Sequence, residues 1–385
     1  MPPSVTSLYV HVPFCARKCD YCAFYSEPAP EPLISRYLDA LERELDLIVS
    51  DVAPATIFFG GGTPSLLGVK HWRRVFDWFE KRRWNQAGEW TVESNPATVT
   101  REKALIWREH GVNRVSLGIQ SLNAQLLDRL GRLHSREKAF QAFDTLRSTG
   151  FENINLDLMF AIPGQTMGMW QETLAEATAL GSEHLSCYEV IYEDDTPLFR
   201  QLKAGQIDVN EDLACDMYDA LLEAAARAGF QQYEIANFAR HEGGDAKEHP
   251  SRACRHNVNY WRGGSFYGLG PSATSYVRGV RTRNWANTGI YCDRLEERKS
   301  AVEAREELPP LGRAGEMAAF GLRMNSGWPY ALFRQLTGYD LPSEWSHEMA
   351  LVEEKGFGLR EGDRFRLTRA GLRFADWVAE QFLRI

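Results

Sequence analysis

From residue 7 to about residue 235, short apolar runs alternate with amphipathic ones, and this alternation constrains the fold more than any other feature of the chain. The runs 7–12, 56–60, 90–94, 114–118, 153–160, 184–190 and 232–235 read as strands, rich in Val, Ile, Leu and aromatics. Between them, 31–50, 69–82, 101–110, 136–148, 168–180 and 211–228 read as helices. In the first of these, Leu38, Leu41, Leu45 and Ile48 recur every three or four residues and so share one face. Gly111, Gly150, Gly181 and Gly229 each stand just past a predicted helix, where a left-handed cap is favoured. Repeated strand–helix units specify a parallel sheet with right-handed crossovers. About six units fit, short of the eight that close a barrel. The predicted class is α/β, an open partial (β/α)6 barrel with its site at the C-terminal ends of the strands.

The pattern then changes twice. Residues 236–304 are expected to connect, and 236–284 are rich in Gly, Asn, His, Arg and aromatics. From 305 to 385 the reading is mainly α-helical. It ends in two short strands (357–359 and 365–367) around Glu361-Gly362-Asp363, and a helix over 369–382, a winged-helix-like order. Residues 340–385 hold seven Lys/Arg and nine Asp/Glu, and the whole chain carries −8, so no nucleic-acid partner is expected. No signal peptide and no membrane-spanning run is read, which leads us to expect a cytoplasmic protein. Of seven cysteines, three fall within eight residues, while Cys187, Cys215, Cys254 and Cys292 are scattered. That usage fits a reducing compartment and one metal site rather than a disulfide framework.

The three clustered residues, Cys15, Cys19 and Cys22, follow Cys-x3-Cys-x2-Cys in a loop directly after the first strand. Thiolates are the ligands iron–sulfur clusters use. Three on one loop can hold three irons of a [4Fe–4S] cubane, and the fourth iron then needs an outside ligand. A structural zinc is the competing reading, but zinc prefers four protein ligands and no fourth Cys or His pair is near in sequence. Further polar residues fall mostly near later strand ends: Gly60-Gly61-Gly62-Thr63-Pro64, Glu93, Gln120, Arg132 and Asp157. Glycines at such a turn permit close backbone approach to a ligand.

Taken together, Tyr-x-His-x-Pro-Phe-Cys, Gly-Gly-Gly-Thr-Pro, Gly-x-Gln-Ser and Asp-Leu-Met-x-x-x-Pro-Gly-Gln-Thr resemble the radical-SAM family that contains oxygen-independent coproporphyrinogen III oxidase and related heme chaperones. The resemblance implies a radical-SAM partial barrel over 1–235, one [4Fe–4S] cluster and S-adenosylmethionine. It implies that Tyr9, Tyr21, Gly61, Gly62, Thr63, Glu93, Gln120, Arg132 and Asp157 contact that cofactor. Two features bear on the branch. The oxidases resemble a motif with a further Cys two positions on, where this chain has Phe24, and they carry a longer extension before the cluster. Residues 256–261, His-Asn-Val-Asn-Tyr-Trp, are similar to the His-Asn-x-x-Tyr-Trp motif of the chaperones.

On that resemblance His256, Asn257, Tyr260 and Trp261 form the expected heme set. His256 offers an imidazole to iron, and the two aromatics offer flat faces. Cys254 is a second possible ligand, and Arg252, Arg255 and Arg262 are candidates for pairing with propionates. The alternative is that His256 and Asn257 bond a loop backbone while the aromatics pack the barrel's open side. The implied function is delivery of heme to acceptor heme proteins, with an electron donor such as a flavodoxin or ferredoxin and transient contact with membrane proteins. The other implied function is that of a coproporphyrinogen III oxidase or another radical-SAM enzyme acting on a tetrapyrrole. The sequence names no catalytic residue.

Overall fold

The computed structural model describes residues 5–243 and 248–384. Strand β1 (Val5–Val12) buries Leu8, Val10 and Val12. Helix α1 (Glu31–Ile48) follows and buries the Leu38, Leu41, Leu45 and Ile48 stripe. Then come β2 (Val52–Gly61), α2 (Val69–Lys81), β3 (Glu89–Ser94), α3 (Arg101–Glu109) and β4 (Arg114–Gln120). They are followed by α4 (Ala124–Arg129), α5 (Arg136–Ser148), β5 (Ile154–Phe160), α6 (Met167–Ala179) and β6 (His184–Glu189). The six strands lie in chain order and all pair in parallel. Strands added always on the same side, through right-handed crossovers, put every helix on one face and curl the sheet into an open barrel. The four cap glycines, Gly111, Gly150, Gly181 and Gly229, all have positive φ, as read from the sequence.

Beyond β6 run α7 (Pro197–Lys203), α8 (Glu211–Arg227), β7 (Phe230–Gln232) and β8 (Asn237–Arg240). The strand predicted over 232–235 is displaced. β7 ends at Gln232, and the Glu234 carboxylate accepts the Ala236 amide at 2.9 Å, closing a turn. β8 then returns antiparallel to both β7 and β6. Nor does the sheet stop at the expected boundary of 235. After α9 (Arg255–Trp261), β9 (Tyr267–Leu269) pairs in parallel with β1 and completes a nine-stranded sheet. A separate antiparallel sheet follows, with β10 (Thr274–Val277), β11 (Val280–Asn284) and β12 (Val302–Glu307) enclosing α10 (Thr288–Glu296) in sequence.

One buried carboxylate ties this later segment to the barrel. Glu44 of α1 accepts Gly270 N at 2.8 Å, Asn284 Nδ2 at 2.6 Å and Tyr291 Oη at 2.6 Å. Burial pushes its carboxyl up from 4.5 to about 7, against those hydrogen bonds. A carboxyl raised in the fold adds stability below about pH 4.5 and loses it as pH rises through 7. The loss amounts to about 3 kcal/mol by pH 8. Glu44→Gln is therefore expected to flatten that stretch of the stability profile in urea titrations at several pH values. An unchanged slope in the variant would exonerate Glu44.

The C-terminal part begins with α11 (Pro310–Gly321). It gathers Trp328, Phe333, Trp345, Met349, Phe365, Val378 and Phe382 into its own core. Its small sheet pairs Trp328–Pro329 with Arg364–Leu367 and that strand with Gly358–Glu361, a winged-helix-like arrangement. The helix predicted over 369–382 is two helices, Arg369–Arg373 and Ala375–Phe382. The break falls at Phe374, whose ring stacks on Phe357 at 4.7 Å. No helix among the described residues is long and apolar enough to cross a membrane.

Candidate cluster and cofactor site

Alternate residues of the parallel strands face inward, and this inner surface is polar. Ser116 Oγ donates to the Asp157 carboxylate at 3.0 Å, and Asn155 Nδ2 to Ser116 Oγ and Asp157 Oδ1 at 2.7 Å each. His184 Nδ1 meets Asn155 Oδ1 at 2.6 Å. Burial, and then the charge of Asp157, pushes Glu93 up to about 8; burial likewise raises Asp157. Tyr9 sits beside Glu93, with its hydroxyl 3.2 Å from His11 Nδ1.

The three cysteines lie at the mouth of this surface, on the loop that leaves β1. The loop is pinned at Cys15 N to Glu27 O (3.0 Å), Asp20 N to Leu130 O (3.1 Å) and Cys22 N to Cys19 O (3.2 Å). All three thiols are free and half-buried. Thr63 Oγ1 is 3.4 Å from Cys15 Sγ, and Arg132 Nη1 donates to Cys19 Sγ at 3.5 Å. Arg132 also bonds the Gly118 carbonyl, so it bridges the loop to the end of β4. Among the described residues, no three His, Cys, Asp or Glu side chains are arranged around a single ion. Three free thiols on one loop supply the ligand type that an iron–sulfur cluster takes, one per iron.

The glycine run also allows close packing within the protein. A Cβ on Gly60 would come within 3.0 Å of Glu93 Oε2, one on Gly61 (φ +98°) within 2.5 Å of the His11 ring, and one on Gly62 within 2.7 Å of Phe14 O. The vacated space is filled by protein. Gly62 N and Thr63 N are spent on Val12 O and Phe14 O at 2.8 and 2.7 Å. The glycines seat the cysteine loop on the end of β2, and the Gly61 amide bonds Glu93. Gln120, the last residue of β4, has φ +65° just after a bulge in the pairing with β5. A non-glycine residue in that conformation is strained, as residues aimed into sites often are. Tyr21 packs against a small apolar cluster that includes Leu126, Leu130 and Ile162, and it lies beside Arg132. Around this mouth Ser94 Oγ, Arg132 Nε and His134 Nδ1 are buried with no partner. Unspent donors and acceptors, two carboxylates and three thiols fit an amino-acid-bearing nucleoside bound over a cluster.

The hexapeptide lies elsewhere, as α9, against the N-terminal ends of β2 and β3. Glu89 caps this helix: its Oε2 accepts Arg255 N at 2.9 Å and its Oε1 accepts His256 N at 3.0 Å. His256 is buried, stacked on Phe58 at 5.2 Å between centroids. Its Nδ1 is 2.9 Å from Thr56 Oγ1 and its Nε2 2.8 Å from Tyr260 Oη. Burial, and then Arg114, pushes it down to about 3, so it is neutral with one donor and one acceptor, both used. Here His256 therefore has no nitrogen open to iron. Cys254 is buried against Glu89 and pushed up to about 12 by burial. Arg252 is paired with Glu242, and Arg262 donates to Gly327 O and Ser326 Oγ, so neither guanidinium is idle. Tyr260 and Trp261 do share a cavity, while Asn257 does not line it. His256→Ala is expected to cost about 3 kcal/mol of stability in urea unfolding, from lost packing and two lost hydrogen bonds.

Residues 9–177 match the Radical SAM superfamily. Over 98% of its length the chain is 31% identical to "Heme chaperone HemW" of Bacillus subtilis, of which it covers 99%. The chain belongs to the HemW family of radical-SAM proteins. It is also 36% identical to the HemW of Escherichia coli over 323 residues, 80% of each chain. Among solved structures, coproporphyrinogen III oxidase from Escherichia coli, titled a radical SAM enzyme, matches with a TM-score of 0.84. That match covers 99% of this chain and 91% of the other at 20% identity, and so speaks for the fold. The HemW-type fold is thus a partial radical-SAM barrel with a winged-helix-like C-terminal domain. Sequence reading missed Glu89, Thr56 and Phe58, which hold α9. Strand parity was available as a signal, since Glu89 is four residues before Glu93 and must face the same side.

Proposed function

We propose that the chain is a radical-SAM heme chaperone, which binds heme and passes it to acceptor heme proteins. What supports this above all is an end-to-end likeness to HemW chaperones in a chain that carries both the three-thiol loop and the Tyr260–Trp261 aromatic pair. In this reading Cys15, Cys19 and Cys22 hold three irons of a [4Fe–4S] cluster. Tyr9, Tyr21, Gly61, Gly62, Thr63, Glu93, Gln120, Arg132 and Asp157 surround S-adenosylmethionine. Once reduced, such a cluster supplies the electron that breaks a sulfonium C–S bond. Arg132 donates to the Cys19 sulfur and so holds the loop against the end of β4. Glu93 and Asp157 offer acceptors to hydroxyl or ammonium groups, and Glu93, with its raised carboxyl, can also donate near neutral pH. His256 holds Tyr260 in place for the heme. An electron donor such as a flavodoxin or ferredoxin, cytoplasmic residence, and brief contact with membrane-bound acceptors complete the proposal.

The test is anaerobic reconstitution followed by heme loading. A Soret band is expected to survive gel filtration and to move onto an added apo-heme protein. With dithionite, S-adenosylmethionine and coproporphyrinogen, no protoporphyrinogen is expected. Its clear formation would overturn the chaperone reading in favour of a tetrapyrrole-oxidising enzyme.

A further inference from the structure

The polar chain on the inner face of the barrel runs in one direction. Asp157 accepts from Asn155 Nδ2 at 2.7 Å and from Ser116 Oγ at 3.0 Å. That acceptor fixes the Asn155 amide, with Nδ2 toward Asp157 and Oδ1 toward His184 Nδ1, 2.6 Å away. Oδ1 can only accept, so His184 carries its proton on Nδ1. Burial, and then the charge of Arg114, holds the imidazole well below its usual range, so the ring is neutral and Nε2 accepts. Tyr233 Oη, 2.9 Å from Nε2, is the donor there, and it accepts in turn from Cys254 N at 3.3 Å. Every link from Cys254 N through Tyr233, His184 and Asn155 points toward Asp157.

The chain is buried up to its last member. Asn155, His184 and Tyr233 are each 1% exposed or less, whereas Asp157 is the one residue of β5 that is not fully buried. Its partners in the ladder are Gly118 and Ser186, neither bulky enough to cover it. Glu93 of β3, Arg114 of β4, Tyr188 of β6, Arg132 and Tyr21 all act on it electrostatically. None of them hydrogen-bonds or ion-pairs with it among the described residues, so its orientation rests on Asn155 and Ser116. The aim of Asn155 rests on His184 in turn. Ser186 Oγ reaches the same Asn155 oxygen at 3.1 Å, but it has a closer acceptor in Asn237 Oδ1 at 2.6 Å. Barrel interiors are ordinarily filled by branched apolar side chains. Here a fully bonded polar chain takes their place and holds one carboxylate still.

We infer, resting on the reading above that Asp157 faces S-adenosylmethionine, that His184 and Tyr233 are positioning residues for this cofactor, acting through Asn155 to aim the Asp157 carboxylate at its hydroxyl or ammonium groups. What Tyr233 supplies is a fixed tautomer. Without its hydroxyl the imidazole proton is free to sit on Nε2, and two lone pairs then face each other between Nδ1 and Asn155 Oδ1. That repulsion turns Asn155, and Asp157 loses a donor.

Binding of S-adenosylmethionine to the full chain, cluster reconstituted, is measured by anaerobic equilibrium dialysis. His184→Leu is expected to weaken it about tenfold and Tyr233→Phe about threefold, as loss of groups that orient a ligand-binding side chain does. His184→Asn, whose amide donates from near the position of Nδ1, is expected to recover most of that loss. Asp157→Asn alone should weaken binding about tenfold or more, and adding His184→Leu to it should cost nothing further. A histidine that only supports the fold would give equal losses in both backgrounds. Should His184→Leu fail to fold, Tyr233→Phe carries the same comparison, since it removes a single oxygen. Equal losses in the two backgrounds, or unchanged affinity in the single variants of His184 and Tyr233, overturn the inference and leave Asp157 as a cofactor contact. Unchanged affinity in Asp157→Asn removes that contact and the inference together.

Discussion

Cys19→Ala is expected to leave the reconstituted protein without cluster absorbance and with iron content near zero. On the proposed assignment each cysteine holds its own iron, and two thiols cannot retain a cubane whose fourth corner already depends on an outside ligand. The loss should be all or none, because the other four cysteines lie outside the loop, Cys215 among them on α8. Cys187, Cys254 and Cys292 are buried elsewhere in the fold. The fold itself should survive, since Cys19 is half-buried on a loop and its backbone bond to Cys22 needs no side chain. A change under about 1 kcal/mol in urea unfolding is expected for the apoprotein. Cys254→Ala supplies the contrast, with cluster retained. An intact charge-transfer spectrum in Cys19→Ala would mean that the ligand assignment is wrong.

Glu89→Ala is expected to be the most destabilising of the single substitutions considered, at about 3–5 kcal/mol. Its carboxylate satisfies two amides at the start of α9 and lies among the charges around the fully buried Arg114. Without it, both amides lose their acceptor and Arg114 loses a counter-charge. The helix that carries His256, Tyr260 and Trp261 would also come loose from β3. Chemical denaturation reads the first effect, and amide exchange at residues 255–261 reads the second. Glu89→Gln separates the terms, because it keeps an acceptor but removes the charge. A loss below about 1 kcal/mol in Glu89→Ala would refute this role.

The strand–helix alternation made the barrel legible, since each strand turns an apolar face to its crossover helices and those helices carry the matching stripe. That three thiols share one loop after β1 was legible for another reason, since residue type and spacing are read without any distant partner. What stayed hidden depended on pairing between distant segments. Nothing local marks residues 267–269 as a sheet strand, because their partner is β1. Glu234 ends β7 early through a side-chain bond that periodicity does not register. His256 drew attention as a histidine in a motif, but its environment is set by Thr56, Phe58 and Glu89, some 160 to 200 positions away.

The pairing of β9 with β1 also sets an order of events during synthesis. β1 leaves the ribosome early, yet the partner on its far side is residues 267–269. At about 5–20 residues per second, that flank stays open for some tens of seconds after β1 has emerged. An open flank on the first parallel strand is a template for wrong partners. The cysteine loop hangs from the end of that same strand. Metal loading before β9 arrives would take place on an unfinished sheet, and loading afterwards on a closed one. Stalling translation near residue 240 and near residue 300, then measuring iron uptake by the two nascent chains, would read that order directly.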